Sequence, residues 1–497
     1  MELPKNPVAR FLVATGVIPP NLNLKHDPTR RENWAGTSST SFKDRNLLTS
    51  PPNTSTERKM NALSQAVKEA KTVHVRTDTS CSFNAEIHTP GGNPEDTLYV
   101  HTSAIKSDIG AVYQDSKSKR HLVRLGGAAT MKEIADHLNH QGYTLPAWIS
   151  NSKASLAGAL HSHGTSLGGP ALLADMVESL TIMNGEGELI VLSREDLKKA
   201  GRLTLGALGI VWEVTLRVER QYQMKCTEEE MTLSEFIQEK KTPKKDSRTW
   251  SLIMFPGGGK EPRVIVRRFT KLDLDASVPA SDKLIYGMVE LDSLTEKVPL
   301  RLLAEIHGFI EGNFNPASAI VKGILHTINY AVQARIHPKR AIVGRPDHVS
   351  FVDVDCLQGM GGRDYSIGVP YSEGPEAIKA IEKLFKEEGS LLAINVREVS
   401  APDEGEGCAF AINNTPNREP VLVFEFIVAS GTDHSDKMGK RLWETLKPLG
   451  GRRHTGKNLT APFDELSQEE IQAFQALKKN CDPRGKFNNK LYESLVS

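Results

Sequence analysis

Residues 203–218, Leu-Thr-Leu-Gly-Ala-Leu-Gly-Ile-Val-Trp-Glu-Val-Thr-Leu-Arg-Val, constrain the fold more than any other stretch. Ile210, Trp212, Val214, Leu216 and Val218 point one way while Glu213, Thr215 and Arg217 point the other, the period of a half-buried strand. Gly206 and Gly209 stand at its entrance, where a missing side chain permits left-handed backbone or a close approach. The stretch is either a sharp turn into a core strand or a bare backbone facing something flat or bulky.

A chain of 497 residues exceeds what one compact core accommodates, so two or three domains are expected. With 62 basic and 61 acidic residues the net charge is +1, which gives no electrostatic reason to expect a nucleic-acid or membrane-surface partner. The basic run at Lys240-Lys241 and Lys244-Lys245 contains a proline and reads as a solvated loop. No stretch approaches the roughly 18 apolar residues of a membrane span, and the N-terminus lacks a secretory signal pattern. Five scattered cysteines suit a reducing compartment, so the expected location is cytoplasmic.

Taken in order, residues 1–33 read as an arm rich in Pro, Asn and charge. Thr54–Ala70 reads as a helix with Thr54 and Glu57 as its capping box, followed by a strand at Thr72–Val75. His121–Leu125 is a strand, and Thr130 with Glu133 caps a helix closed by Gly142. Met176–Met183 and Glu188–Leu192 form a hairpin through an Asn184-Gly185 turn. Beyond Arg220, strands are expected at Trp250–Phe255 and Arg263–Phe269. The intervening Pro256-Gly-Gly-Gly-Lys260 lacks phosphate-loop spacing and reads as a turn. Helical periodicity dominates 300–334. Strands follow at Val349–Val354 and Tyr365–Val369, a helix at Glu376–Glu388, and strands at Leu391–Val399 and Val421–Ile427. Ser467 and Glu470 cap a final helix. His161 and His163 lack a third ligand at suitable spacing, so no metal is expected.

Several landmarks in this order resemble FAD-linked oxidases of the vanillyl-alcohol-oxidase type, specifically the sugar-lactone (aldonolactone) and alditol oxidase branch. They are Asn33-Trp-Ala-Gly36, Gly127–Ile134, Leu156-Ala-Gly-Ala159 leading to His163-Gly164-Thr165, Asp175–Leu180, Leu205–Ile210, Gly450–Lys457 and Asp482–Asn488. The resemblance is dense over 120–220 and 450–490. It implies an α+β, two-domain fold: an N-terminal arm (1–33), an FAD-binding domain of the PCMH type (34–220), a sheet-plus-helix substrate domain (221–455) and a C-terminal segment (456–497) returning to the first. Gly206, Gly209 and Ile210 would lie against the flavin, Gly158, His163 and Gly164 would line its other side, and Asn488 would bring the tail back.

The family's pyrophosphate loop is glycine-rich and often carries a histidine bonded to the flavin. The matching residues here are Thr77, Asp78, Thr79, Ser80, Cys81 and Ser82. Side chains at these positions resist left-handed conformations, and Asp78 sets a negative charge beside two phosphates. Cys81 stands nearest the histidine's place. It reads as a small buried filler, with a thioether to the flavin as the less favoured alternative.

The resemblance implies hydride removal from a C–O carbon of a small hydroxylated substrate, with O2 or another acceptor reoxidising the FAD. The family's Glu-x-Arg pair matches Asn395-Val396-Arg397, and its His-Trp-Gly-Lys run matches His454-Thr455-Gly456-Lys457. Arg397 and Lys457 are donors suited to a developing alkoxide, and His454 is suited to accept a proton. Asparagine in place of glutamate and threonine in place of tryptophan argue for a substrate other than the usual lactone or polyol. The alternative is a flavin-free enzyme (cyclase, isomerase or lyase) or a small-molecule binding protein on the same fold.

Overall fold

In the computed structural model the described residues are 30–32, 39–41, 47–76, 89–161, 164, 172–199, 204–240, 249–255, 262–277, 341–351, 363–387, 391–401, 412–415, 417–428, 432–458 and 463–496. The first strands are β1 (Arg30–Glu32), β2 (Ser39–Ser41), β3 (Leu47–Leu48), β4 (Thr72–Arg76), β5 (Thr97–His101), β6 (Tyr113–Gln114), β7 (His121–Gly126), β8 (Tyr143–Thr144), β9 (Val177–Met183), β10 (Leu189–Ser193) and β11 (Ile210–Arg220). The remainder are β12 (Gln223–Thr232), β13 (Thr249–Phe255), β14 (Arg263–Leu272), β15 (Ile342–Gly344), β16 (Arg363–Pro370), β17 (Leu391–Val399), β18 (Val421–Val428) and β19 (Arg452–Arg453). The arm, Asn33–Gly36, the 256–260 turn and the 300–334 segment lie wholly or largely outside the described residues. So do Thr77, Asp78, Thr79, Ser80, Cys81, Ser82 and His163.

Strand β11 is the spine of the first lobe. It lies between β9 and β7 in a sheet of order β10-β9-β11-β7-β6, with β8 also paired to it. The alternation read from residues 210–218 does not survive intact. Against β9, Val211 faces Ile182 and Glu213 faces Thr181, leaving Trp212 as an extra residue. Such a bulge flips parity. Ile210 and Trp212 therefore join one core with Leu63, Val73 and Phe487, while Val214, Leu216 and Val218 join a larger core. A single strand's pattern cannot reveal where its register against a partner shifts.

The smaller core packs against the parallel sheet β3-β5-β4. Its helix runs Thr56–Glu69 (α1) and is capped by Ser55, whose side chain accepts from Arg58 N–H, rather than by Thr54. Thr54 instead donates its hydroxyl to the Pro51 carbonyl at 2.8 Å, within a turn that precedes the helix. The capping boxes at Thr130 and Ser467 form as expected. The β9–β10 hairpin has a five-residue loop, not the two-residue turn expected: Asn184 Oδ1 accepts from Glu186 and Glu188 N–H, and Gly187 takes the left-handed φ of +73°. The C-terminal helices Gln468–Cys481 and Lys490–Val496 bury Phe474, Cys481, Leu491 and Leu495 in the first lobe's core. Between them the Lys486 carbonyl accepts from Val73 N–H at 2.8 Å.

The second sheet is antiparallel with order β15-β12-β14-β13-β17-β18-β16-β19. Leu252, Val266, Ile367, Val396 and Phe424 pack with helices Gly374–Glu387 and Thr432–Leu446. The opposite face turns to the first lobe, where Leu172 packs on Val399, Val421 and Val423. Residues 346–350 form a short helix, Pro346–Ser350, where a strand was predicted from Val349. Proline at the first position favours a helix start, and Phe351 just beyond it meets Trp148 edge-on at 5.5 Å. Among the described residues no helix is long and apolar enough to cross a membrane.

Candidate active site

Directly opposed residues in an antiparallel sheet share a face. Ser251 of β13 lies opposite Arg397 of β17, Asn395 opposite Glu425 of β18, and Glu425 opposite Ser366 of β16. These residues, with Asp364 two before Ser366, thus stand on the face turned to the first lobe. Glu425 is their hub: it accepts from Arg397 at 2.8 Å and from the Asn395 amide at 3.2 Å, and it pairs with Lys457 Nζ at 2.7 Å. Lys457 also binds the Asp364 carboxylate.

Lys457 is delivered by the turn after β19. Arg453 anchors the start of that turn through Glu465 at 2.6 Å and through the faces of Trp443 and Phe463, 4.3 and 5.3 Å away. His454 N–H donates to the Ser366 carbonyl, while His454 Nδ1 accepts from Gly456 N–H at 3.0 Å. Asn458 and Asp364 exchange two hydrogen bonds of 2.8 Å, which fix the end of the turn.

Burial alone would raise the Glu425 carboxyl, but the Arg397 and Lys457 cations together hold it well below the usual carboxylate range. Burial pushes Asp364 up to about 7; Lys457 opposes this and the Glu425 charge reinforces it. Burial disfavours the Lys457 cation, yet Asp364 and Glu425 outweigh it and raise that amine. Ser251 Oγ, Asn395 Oδ1, Asp364 Oδ1 and Ser366 Oγ have no hydrogen-bond partner among the described residues. Buried polar atoms are nearly always paired, so four such atoms in one patch mark a place shaped for a polar ligand.

The turn into β11 carries consecutive left-handed residues, Leu205 at φ +49° and Gly206 at φ +66°. A buried leucine in that region is strained, and the Asn489 amide holds it by donating to the Leu205 carbonyl at 2.8 Å. Among the described residues, a side chain on Gly206 would meet that amide alone, at 3.3 Å. Gly209 differs: at φ +150° its missing side chain makes room for the Met183 carbonyl, 2.5 Å from where a Cβ would sit. Gly164 is likewise packed, against Ile149, and among the described residues a Cβ on Gly158 would meet Ser155 Oγ. His161 bonds Thr204 beside the turn, and burial pushes its imidazole down to about 4. The tail residue that reaches the turn is Asn489; the Asn488 carbonyl accepts instead from Gly91 N–H at 2.9 Å. Arg76, buried as the last residue of β4, stands where residues 77–82 begin.

The structure brings Asn395, Arg397, Lys457 and the backbone of His454 together at one patch, and Gly206, Gly209 and Ile210 at one turn. Glu425, Asp364, Ser251 and Ser366 were not singled out by the sequence, and Arg76 figured there only as the first residue of the stretch matched to the pyrophosphate loop. Only Glu425 left a signal, a lone carboxylate in the apolar run Val421–Val428.

A family model described as D-arabinono-1,4-lactone oxidase matches residues 214–495. D-arabinono-1,4-lactone oxidase of Yarrowia lipolytica is 25% identical over 55% of this chain and 52% of its own. The Kluyveromyces lactis enzyme of the same description is 28% identical over 28% of each chain. Alditol oxidase of a Streptomyces species is 29% identical over 29% of this chain and 33% of its own. The first of these curated relatives to be matched are thus spanned over only about a quarter of their length. Cholesterol oxidase of Brevibacterium sterolicum has the same fold, with a TM-score of 0.72 and 12% identity over 94% of this chain and 97% of that one.

Proposed function

The chain belongs to the D-arabinono-1,4-lactone oxidase family, and from that membership we propose that it is an FAD-dependent oxidoreductase removing a hydride from a C–O carbon of a small hydroxylated substrate. The observation that carries this reading is the buried patch of Arg397, Lys457, Glu425 and four unsatisfied polar atoms facing the first lobe. Two cations matched by two carboxylates suit a neutral polyhydroxylated molecule, whose hydroxyls donate and accept in turn.

The residues present fit FAD. The strained Leu205-Gly206 turn offers bare backbone to a flat ring. Arg76 sets a buried cation at the carboxyl end of a parallel strand, the usual side for a nucleotide phosphate. That cation supplies attraction for a phosphate. Bound FAD supplies a two-electron acceptor for the hydride, with O2 as the terminal oxidant giving peroxide. Arg397 and Lys457 orient the substrate oxygen and stabilise charge on it as its proton leaves. Glu425 keeps both cations charged and fixed, and His454 shapes the turn that presents Lys457. We propose residues 34–220 with 456–497 as the cofactor lobe, 221–455 as the substrate lobe, and the cytosol as the compartment.

The flavin-free alternative draws on the composition of residues 77–82, and one measurement separates the two. Purified protein is expected to show the visible absorption of a flavin at about one flavin per chain, to bleach anaerobically with aldonolactones or alditols, and to release peroxide in air. Protein that stays colourless after incubation with FAD overturns the proposal.

A further inference from the structure

The two carboxylates of the patch differ in what they bond. Glu425 is fully occupied by Arg397, Lys457 and Asn395. Asp364 is 5% exposed and gives one carboxylate oxygen to Lys457, but its Oδ1 has no hydrogen-bond partner among the described residues. Asn458 clamps the backbone N–H and carbonyl of Asp364, and Lys457 holds its other carboxylate oxygen. The charged groups acting on it across this face are Lys457 from the turn, Glu425 from β18 and Arg397 from β17. Its neighbours along β16, Arg363 and Tyr365, alternate to the opposite face, where both meet Asp436.

Resting on the redox reading above, we propose that Asp364 is the proton acceptor of the reaction, taking the substrate hydroxyl proton on Oδ1. The O–H bond breaks and its proton joins the carboxylate. The freed pair becomes the second C–O bond, while the C–H hydrogen leaves with its two electrons for the bound two-electron acceptor, a flavin. Lys457, shared by Asp364 and Glu425, lets the ionised form of Asp364 exist in a buried site and stands ready to hold the oxygen as it turns carbonyl. A carboxyl that burial lifts to about 7 is matched to proton transfer near neutral pH, which a freely solvated aspartate is not. His454, the acceptor the sequence suggested, has its Nδ1 engaged by Gly456 N–H.

The test uses the holoenzyme, with Asp364→Asn and Asp364→Glu compared with the parent. Flavin reduction by an alditol or aldonolactone is followed anaerobically by stopped flow between pH 5 and 9. The parent rate is expected to rise with pH and level off above about 7. D364N should lose roughly 10²–10⁴-fold together with that pH dependence, and D364E should recover part of both. Infrared difference spectra of substrate-free protein supply a readout independent of turnover: a protonated-carboxyl band that disappears near pH 7 in the parent and is missing in D364N. A D364N enzyme that reduces its flavin at the parent rate with the parent pH profile overturns the assignment and leaves the redox reading standing. So does a parent spectrum without that band. Flavin that no polyol or lactone reduces takes both readings down.

Discussion

Replacing Glu425 with glutamine removes the charge at the hub of the patch while keeping its shape and one acceptor oxygen. Glu425 meets Arg397 at 2.8 Å and Lys457 at 2.7 Å, and the three side chains are only 15%, 4% and 17% exposed. Charge centres about 4 Å apart attract by about 4 kcal/mol at an effective dielectric near 20, so the two pairs give about 8 kcal/mol. Burying the carboxylate costs several kcal/mol, and an ionised Asp364 repels it. The net loss expected for E425Q is therefore about 3–5 kcal/mol, the usual cost of orphaning a buried cation. Urea denaturation at pH 7.5 measures it, as a lower midpoint at an unchanged m-value. Because Asn395 lies directly opposite Glu425 and two residues from Arg397, the exchange N395E/E425N returns a carboxylate to the same face. It should recover more than half of what E425N alone loses. A cost below about 1 kcal/mol for E425Q, as for a solvent-screened pair, would refute the buried-hub argument, as would an exchange no better than the single variant.

Lys457→Met should leave flavin content intact but slow substrate-driven flavin reduction by about 10²-fold or more, as loss of an oxyanion donor does; an unchanged rate removes Lys457 from the chemistry. The two glycines of the β11 turn should separate. Gly209→Ala drives a methyl into the Met183 carbonyl and should lower the melting temperature sharply. Gly206→Ala puts a methyl at φ +66° and 3.3 Å from the Asn489 amide, a side-chain end that can give, and should cost only about 1–2 kcal/mol while raising the FAD dissociation constant several-fold; equal effects on stability and flavin binding would erase that distinction. Asp364 carries a sign that can be checked by pH. Its folded value near 7 lies above the unfolded value of about 3.9, so its contribution to stability is complete at low pH and lost as pH rises through 7. D364N lacks that loss, so its melting temperature relative to the parent should improve between pH 5.5 and 8.5. A constant difference across that range contradicts the argument.

Local chemistry in the chain was enough to find the caps at Thr130 and Ser467, the strands at 391–399 and 421–428, and the glycine turn leading into β11. Each depends on neighbours within a few residues, where periodicity and capping geometry operate. The ordered landmarks likewise sufficed for the family and its fold. Asn395 looked like the loss of a carboxylate because the sequence displays only what precedes and follows it. In the folded sheet a glutamate 30 residues away is hydrogen-bonded to it across the strand boundary, and the acid is present after all. Which residue stands opposite which is set by register, and register by contacts between whole strands. The same holds for the bulge at Trp212, which exists only in the pairing of β11 with β9, where the register shifts between Val211 and Glu213. The chain's own order decided the strands and their edges; the charge balance of the patch, and the aspartate left with an unused oxygen, came from strands meeting in space.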